Sequence, residues 1–296
     1  MKIAILLSTY NGEKYLDDLL QSIFYQHCDF KIIVCIRDDG SKDSTLHIIK
    51  KWKSKLDIIL TEGNNVGPRD SFKELIFSAP ICDYYAFCDQ DDIWNEDKVA
   101  VAVRALKEKG NGKPLLYYCN ASYLDQKGNQ IKITRDENIP LLSYNNLIVK
   151  NPSLGCEMVF NNELRNAMKL VNFNYYFMHD VVAVQLASCL GEIIYDNVPR
   201  MGYRQHFESV TQGHNKLKSI YNKLYFWFFA KDISISNQAN ELLLLFPKLK
   251  ENKVIKEVSQ YRKGFNRFKL VFNKIYRSDS FKCNRSFILR VILGVA

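Results

Sequence analysis

No stretch of the 296 residues reaches the roughly 18 consecutive apolar positions that crossing a bilayer requires, so the chain is not expected to span a membrane by itself. The opening run from Met1 to Thr9 is too short for a signal peptide and lacks a small-residue cleavage site, and it reads as a first strand. The eight cysteines, at 28, 35, 82, 88, 119, 156, 189 and 283, include no Cys-x-x-Cys pair. That scatter excludes a disulfide framework and argues against a zinc site, leaving reduced, buried thiols in a cytosolic protein as the expectation. No Gly-x-Gly-x-x-Gly follows the first strand, and Gly63-Asn64-Asn65-Val66-Gly67-Pro68 lacks the Gly-Lys-Ser/Thr ending of a phosphate-binding loop. Backbone cradling of phosphate is therefore not the expected mechanism. Gly-x-Ser-x-Gly is also missing, and no Cys–His pairing supports a covalent nucleophile. With 47% hydrophobic and 25% charged residues the chain is nonetheless that of a folded globular protein with a large core.

Negative charge is scarce in one region only. Residues 1–213 carry 24 basic and 27 acidic groups, a net of −3, whereas residues 214–296 carry 17 and 5, a net of +12. The tail interleaves its cations with Tyr225–Phe229, Leu242–Phe246 and Phe287–Leu293. Such a composition suits helices that lie in a membrane interface over anionic headgroups. A helical appendage packed on the body is the alternative. Nucleic acid is not expected as a partner, because no recognised nucleic-acid motif accompanies the basic strip.

Strands and helices alternate through the first hundred residues. The run 3–7 precedes Tyr15, Leu16, Leu19, Leu20, Ile23 and Phe24 at helical spacing; Phe30–Arg37 reads as a second strand, followed by a helix that Asp43 can cap. Ile58–Leu60 and Tyr84–Cys88 are further strands, with a short helix from Ser71 to Phe77 between them. Beyond residue 114 the pattern is more mixed, with a strand over Leu115–Cys119 and a helix near Val181–Leu190. The alternation predicts an α/β fold, a mainly parallel sheet flanked by helices, with ligands at the carboxyl ends of the strands.

Those strand ends carry carboxylates: Asp38 and Asp39 after the second strand, Asp89, Asp91 and Asp92 after the fourth. A diphosphate cannot approach them without an intervening cation, and Mg²⁺ is commonly held by one or two carboxylates together with substrate phosphates.

At this point the sequence resembles the family 2 glycosyltransferases of the GT-A fold, and in particular the bacterial rhamnosyltransferase-like members that build surface polysaccharides. The resemblance covers roughly residues 1–213. It rests on Leu7-Ser8-Thr9-Tyr10-Asn11-Gly12-Glu13, on Arg37–Thr45, on Asn65-Val66-Gly67 with Ser71-Phe72, on Cys88-Asp89-Gln90-Asp91-Asp92-Ile93-Trp94 followed by Asp97-Lys98, on His179-Asp180 and on Tyr203-Arg204-Gln205-His206.

The resemblance implies a catalytic domain over 1–213, and the charge count sets apart a basic helical tail over 214–296. It implies that Thr9, Tyr10, Asn11 and Glu13 line the nucleotide, that Asp39 accepts a hydrogen bond from a pyrimidine N3–H, and that Asp89 lies near the ribose. Asp91 and His206 become candidate metal ligands for Mg²⁺ or Mn²⁺, Arg204 a cation for the diphosphate, and Trp94 an aromatic face for a sugar, with a core role for Trp94 equally open. Asp180 is the candidate general base, a helix cap being the alternative. Gly155 is read as a place where backbone could approach a ligand closely. Val181-Val182 and Phe207-Glu208 depart from the family pattern on the acceptor side, which bears on sugar and acceptor identity rather than reaction type.

The expected activity is inverting, metal-dependent transfer of a sugar, L-rhamnose from dTDP-L-rhamnose being favoured, to a hydroxyl of a lipid-linked glycan at the inner face of the cell membrane. A galactose or glucose donor on uridine diphosphate is the near alternative. A non-catalytic carbohydrate-binding or assembly scaffold is the alternative from another class.

Overall fold

The computed structural model describes residues 1–132, 140–205, 233–262, 266–293 and 296. These pack as two compact units. One comprises Met1–Ile139, Ser153–Lys169 and Met178–His206; the other comprises Pro140–Pro152, Leu170–Phe177 and Phe207–Ala296. The second unit thus draws two inner segments of the chain to the tail, an exchange that no composition shift in the sequence announces.

The first unit is a sheet of nine strands among the described residues, in the order β3-β2-β1-β4-β8-β6-β9-β5, with β7 beside β6. The strands are β1 (Lys2–Thr9), β2 (Lys31–Asp38), β3 (Ile58–Glu62), β4 (Tyr84–Asp89), β5 (Ile93–Trp94), β6 (Leu115–Leu124), β7 (Gln130–Lys132), β8 (Met158–Asn161) and β9 (Glu192–Arg204). Strands β3, β2, β1 and β4 are parallel; β8 runs antiparallel to both β4 and β6, and β9 parallel to β6. The sheet is accordingly mixed beyond β4. Ile3 to Leu7 are fully buried, as a parallel strand covered on both faces requires.

Helices α1 (Leu16–Phe24), α2 (Thr45–Trp52), α3 (Pro68–Ser78) and α4 (Lys98–Glu108) follow successive strands. Leu16, Leu19, Leu20 and Ile23 give α1 the stripe it buries. Asp43 accepts the Thr45 N–H at 3.0 Å at the start of α2. Gly67, at φ +81°, turns the chain into α3, whose first residue is Pro68. Helices α5 (Tyr144–Leu147), in the second unit, and α6 (Asn162–Met168), in the first, are short. Helix α7 (His179–Leu190) is apolar along most of its length and correspondingly buried.

Strand β9 is the largest element the periodicity misses. Its outer half carries Asp196, Asn197 and Pro199, and the pairing with β6 shifts register around Cys119 and Asn120, where Pro199 has no N–H to donate. All eight cysteines are free. Among the described residues no helix is long and apolar enough to cross a membrane.

Candidate active site

The carboxyl ends of β2, β1 and β4 lie side by side: Thr9 is the partner of Asp38 across one pairing and Ser8 the partner of Asp89 across the other. Adjacent strands are about 4.8 Å apart, so the loops carrying Asp39, Tyr10 and Asp89 open onto one edge within roughly 10 Å.

The β1 and β2 loops are locked together by their own polar groups. Asp38 is buried and accepts from Thr9 Oγ1 at 2.9 Å, from Ser41 Oγ at 2.6 Å and from the Ser41 N–H at 2.8 Å. Asn11 donates its N–H to Ser41 Oγ and accepts from the Lys42 N–H, both at 2.9 Å. Glu13 accepts the Ser44 N–H at 2.8 Å and donates its own N–H to Asp43. The side chains of Thr9, Asn11 and Glu13 therefore build the loop wall. Tyr10 is 44% exposed, and its backbone is clasped at both ends by the Gln90 amide, at 2.8 and 3.0 Å. A Cβ on Gly12 would lie 2.4 Å from Gln90 Oε1 and would push that amide off Tyr10.

Asp39 is buried and accepts the Val66 and Gly67 N–H groups, each at 2.9 Å, as well as the Arg37 guanidinium. Three of a carboxylate's about four acceptor positions are taken, leaving one for a ligand donor. Arg37, itself buried, also pairs with Glu74 and holds the Asn64 carbonyl. Sequence reasoning did not single it out, and only its burial between three acceptors marks it.

The acidic pair chosen from sequence, Asp89 and Asp91, is joined by a third member. The ligand atoms of Asp89, Asp92 and Cys156 lie within 4.8 Å of one another. Asp92 is fully buried, and among the described residues the Cys156 thiol is the polar side chain beside its oxygens that offers them a weak donor. Burial, then repulsion from Asp91 and Asp89, pushes its carboxyl far above the ordinary range. Burial and the charges of Asp91 and Asp180 raise Asp89 to about 7. A cluster that resists ionisation in this way calls for a cation. The one buried beside it, Lys98, is directed elsewhere, onto the Cys156 carbonyl and over the Trp94 ring at 3.8 Å.

Two carboxylates whose ligand oxygens lie within 4.8 Å of one another fit a hard divalent ion such as Mg²⁺ or Mn²⁺. Cys156 does not, because burial and the neighbouring carboxylates keep its thiol protonated. Asp89 and Asp92, with Asp91 in electrostatic reach of both, are the residues that would hold the ion. His206 lies outside the described residues, as does the Tyr225–Phe229 cluster.

Asp180 stands in the first turn of α7 and accepts the Val181 N–H at 2.8 Å. Burial raises its carboxyl to about 6, with Glu157 adding a smaller repulsion, and Asp180 in turn raises Asp89. The base candidate and the metal candidates are thus electrostatic neighbours.

The packing turns three of the residues named from sequence toward protein, and for Trp94 it favours the core role left open beside the sugar platform. Arg204 is buried, and its fork donates to the Asp91 carbonyl and the Gln126 carbonyl, each at 2.9 Å, and to Asp18 at 3.2 Å. It positions the Asp91 backbone, and these three acceptors engage its fork within the protein. Trp94 is buried with Lys98 over its face, so it offers no platform to a sugar. Gly155 makes room for protein, not ligand: a Cβ would sit 2.5 Å from His179 Nε2. His179 is itself stacked on Phe72 at 3.8 Å and edge-on to Phe87 at 4.4 Å, and this burial lowers its pKa to about 3.

Known proteins resemble the chain in sequence and in fold. Residues 4–150 match the model of Glycosyl transferase family 2. The chain is 26% identical over 236 residues to the dTDP-rhamnosyl transferase RfbG of Shigella flexneri, covering 74% of this chain and 78% of that protein. It is 31% identical over 113 residues to the poly(ribitol-phosphate) beta-N-acetylglucosaminyltransferase TarS of Staphylococcus aureus, a match over 36% of this chain that spans only 19% of the relative. Among solved structures, S. aureus TarS in complex with UDP-GlcNAc superimposes with a TM-score of 0.63 at 16% identity, over 100% of this chain and 82% of that one. The mannosyltransferase PcManGT of Pyrobaculum calidifontis, in complex with GDP-Man and Mn²⁺, gives 0.52 at 15% identity, over 99% and 86%. At these identities the structural likeness is one of fold.

Proposed function

We propose that this chain, a member of glycosyl transferase family 2, transfers L-rhamnose from dTDP-L-rhamnose to a hydroxyl of a lipid-linked glycan, with inversion at the anomeric carbon. The observation that carries the reaction is the packing of His179, the residue before Asp180, edge-on at 4.4 Å to Phe87 of β4, the strand that ends at Asp89 of the acidic cluster. The rhamnose donor is supported by the similarity to RfbG.

In this reading, Asp180 takes the proton from the acceptor hydroxyl as that oxygen attacks. A carboxylate titrating at about 6 is ionised at neutral pH and still basic enough to share a proton in the transition state. Asp39, steadied by Arg37, keeps one acceptor position toward the base of the nucleotide. The Tyr10 loop, clasped by Gln90, walls the nucleotide site, and Arg204 fixes the turn bearing Asp91. A divalent ion held by Asp89 and Asp92 would supply electrophilic stabilisation to the departing diphosphate. Attachment to the inner face of the cell membrane would place a protein without a described spanning helix beside a lipid-linked acceptor.

A uridine diphosphate sugar is the second reading, favoured by the fold shared with a protein solved with UDP-GlcNAc. The test is a thermal-shift panel of dTDP-rhamnose, UDP-glucose and UDP-galactose with and without Mn²⁺, since a ligand that binds only the folded state raises its stability. dTDP-rhamnose with metal is expected to give the largest shift. Asp180→Asn should keep that shift while transfer falls by about 10²–10⁴-fold. A larger shift with a uridine diphosphate sugar would replace the donor, and full transfer by Asp180→Asn would remove the base.

A further inference from the structure

The helix Phe281–Leu293 is apolar on both sides. Phe287 and Val291 face inward and are fully buried. At 3.6 residues per turn, Phe281, Arg285, Leu289 and Ile292 fall together within about a quarter of the circumference, flanked by Lys282 and Leu293. Phe281 is 75% exposed, and Leu289, Ile292 and Leu293 are close to half exposed. The neighbouring helix Asn266–Phe272 adds Phe272, 76% exposed, beside Lys269; Arg267 bonds the Ile292 carbonyl at 3.2 Å and ties the two helices together. An outward face built from large apolar groups interspersed with cations is not that of a helix designed to meet water alone.

The charge around this face is one-sided. Of the four acidic side chains described in the tail, Glu241 accepts the Asn172 N–H, Glu257 the Tyr276 hydroxyl, and Asp279 pairs with Lys150, while Glu251 is exposed at the end of the turn Pro247–Glu251. Among the described residues no ion pair joins Lys269, Lys274, Lys282 or Arg285 to a carboxylate.

We infer that the outward face of helix 281–293, together with Phe272, docks on an anionic lipid bilayer, the apolar side chains entering the boundary between headgroups and acyl chains while the cations meet the headgroup phosphates. At 13 residues the helix is about 20 Å long, short of the roughly 30 Å hydrocarbon core, so it lies along the surface and does not cross it. A second copy of the chain is a poorer occupant, because a two-fold contact brings Lys282 and Arg285 against their own copies. Nucleic acid would leave Phe272, Phe281 and Leu289 without a partner. The inference deepens, and for its purpose rests on, the reading of a lipid-linked acceptor.

The test is co-sedimentation of the full chain with vesicles of phosphatidylcholine alone or mixed with phosphatidylglycerol. Binding to the mixed vesicles is expected, with little to the neutral ones. Lys282→Gln with Arg285→Gln should weaken it about 30-fold at low salt. Phe281→Ser with Leu289→Ser should weaken it by more than about tenfold, with melting temperature unchanged because both side chains are exposed. Equal binding to both vesicle types, retained binding in either double variant, or a dimer in light scattering that the same variants dissolve would overturn the inference. Vesicle binding without any donor-induced thermal shift would instead overturn the transferase reading and leave the docking surface standing.

Discussion

At the scale of single residues, Asp180 carries two opposite dependences on pH. Its folded carboxyl titrates at about 6 against an ordinary value of 3.8, chiefly because it is buried. The protonated form is the one folding favours, so its contribution to stability is present below about pH 4 and is lost as pH rises through 6. The ionised form is the one that accepts a proton from the acceptor, so kcat/KM should rise through the same interval. Wild-type profiles of kcat/KM and of melting temperature between pH 4 and 8 are expected to cross in this way. Asp180→Asn should flatten this contribution to the stability profile. A kcat/KM that is level from pH 5 to 8 would assign the proton transfer to another group. The wider lesson at this scale concerns Asp92. Spacing alone prefers Asp89 and Asp91, the two ends of an Asp-x-Asp pattern, but the turn after β4 folds Asp92 inward against Asp89 and Cys156. Its burial, which no local pattern records, sets it apart from its neighbours.

At the scale of elements, two buried side chains fix how secondary structure is joined around the site. His179 seats the start of α7 against Phe72 of α3 and Phe87 of β4, and Gly155 leaves it the space. Gly155→Ala is expected to cost about 1–3 kcal/mol through overpacking, measured by denaturant unfolding. In a double-mutant cycle His179→Ala should relieve most of that cost; additive losses would show that the glycine answers to something else. Arg204 joins the end of β9 to the turn beyond β4, through three acceptors from Asp18, Asp91 and Gln126. An ammonium cannot reproduce that planar fork, so Arg204→Lys is expected to lose about 2 kcal/mol of stability and to weaken Mn²⁺-induced thermal protection. Unchanged stability would return Arg204 to a role at the ligand. The helices α1 and α7 and the strands β1, β2 and β4 are legible in sequence, because each buries side chains at its own period or as one apolar run. Strand β9 is not, because half its length is polar and Pro199 interrupts the ladder.

At the scale of the whole molecule, the tail unit is not a simple appendage after residue 213. It takes in residues 140–152 and 170–177, where Asn146 donates to the Ile275 and Arg277 carbonyls, Lys150 pairs with Asp279, and the Tyr175 carbonyl accepts from Gln238. Truncation after residue 213 removes all of those partners. The shortened chain is expected to be cut within residues 140–152 under limited proteolysis that leaves the full chain intact. Equal resistance would mean that the first unit closes these segments without the tail. By itself the sequence determined the alternation of strands and helices, the carboxylates at the strand ends and the concentration of positive charge in the tail, since each depends on residues near one another in the chain. Only the tertiary structure decided which carboxylates share a cluster, that Arg204 and Trp94 face protein rather than ligand, and which inner segments join the tail. Burial and electrostatic reach depend on distances between segments far apart in sequence, and side-chain periodicity holds no record of those distances.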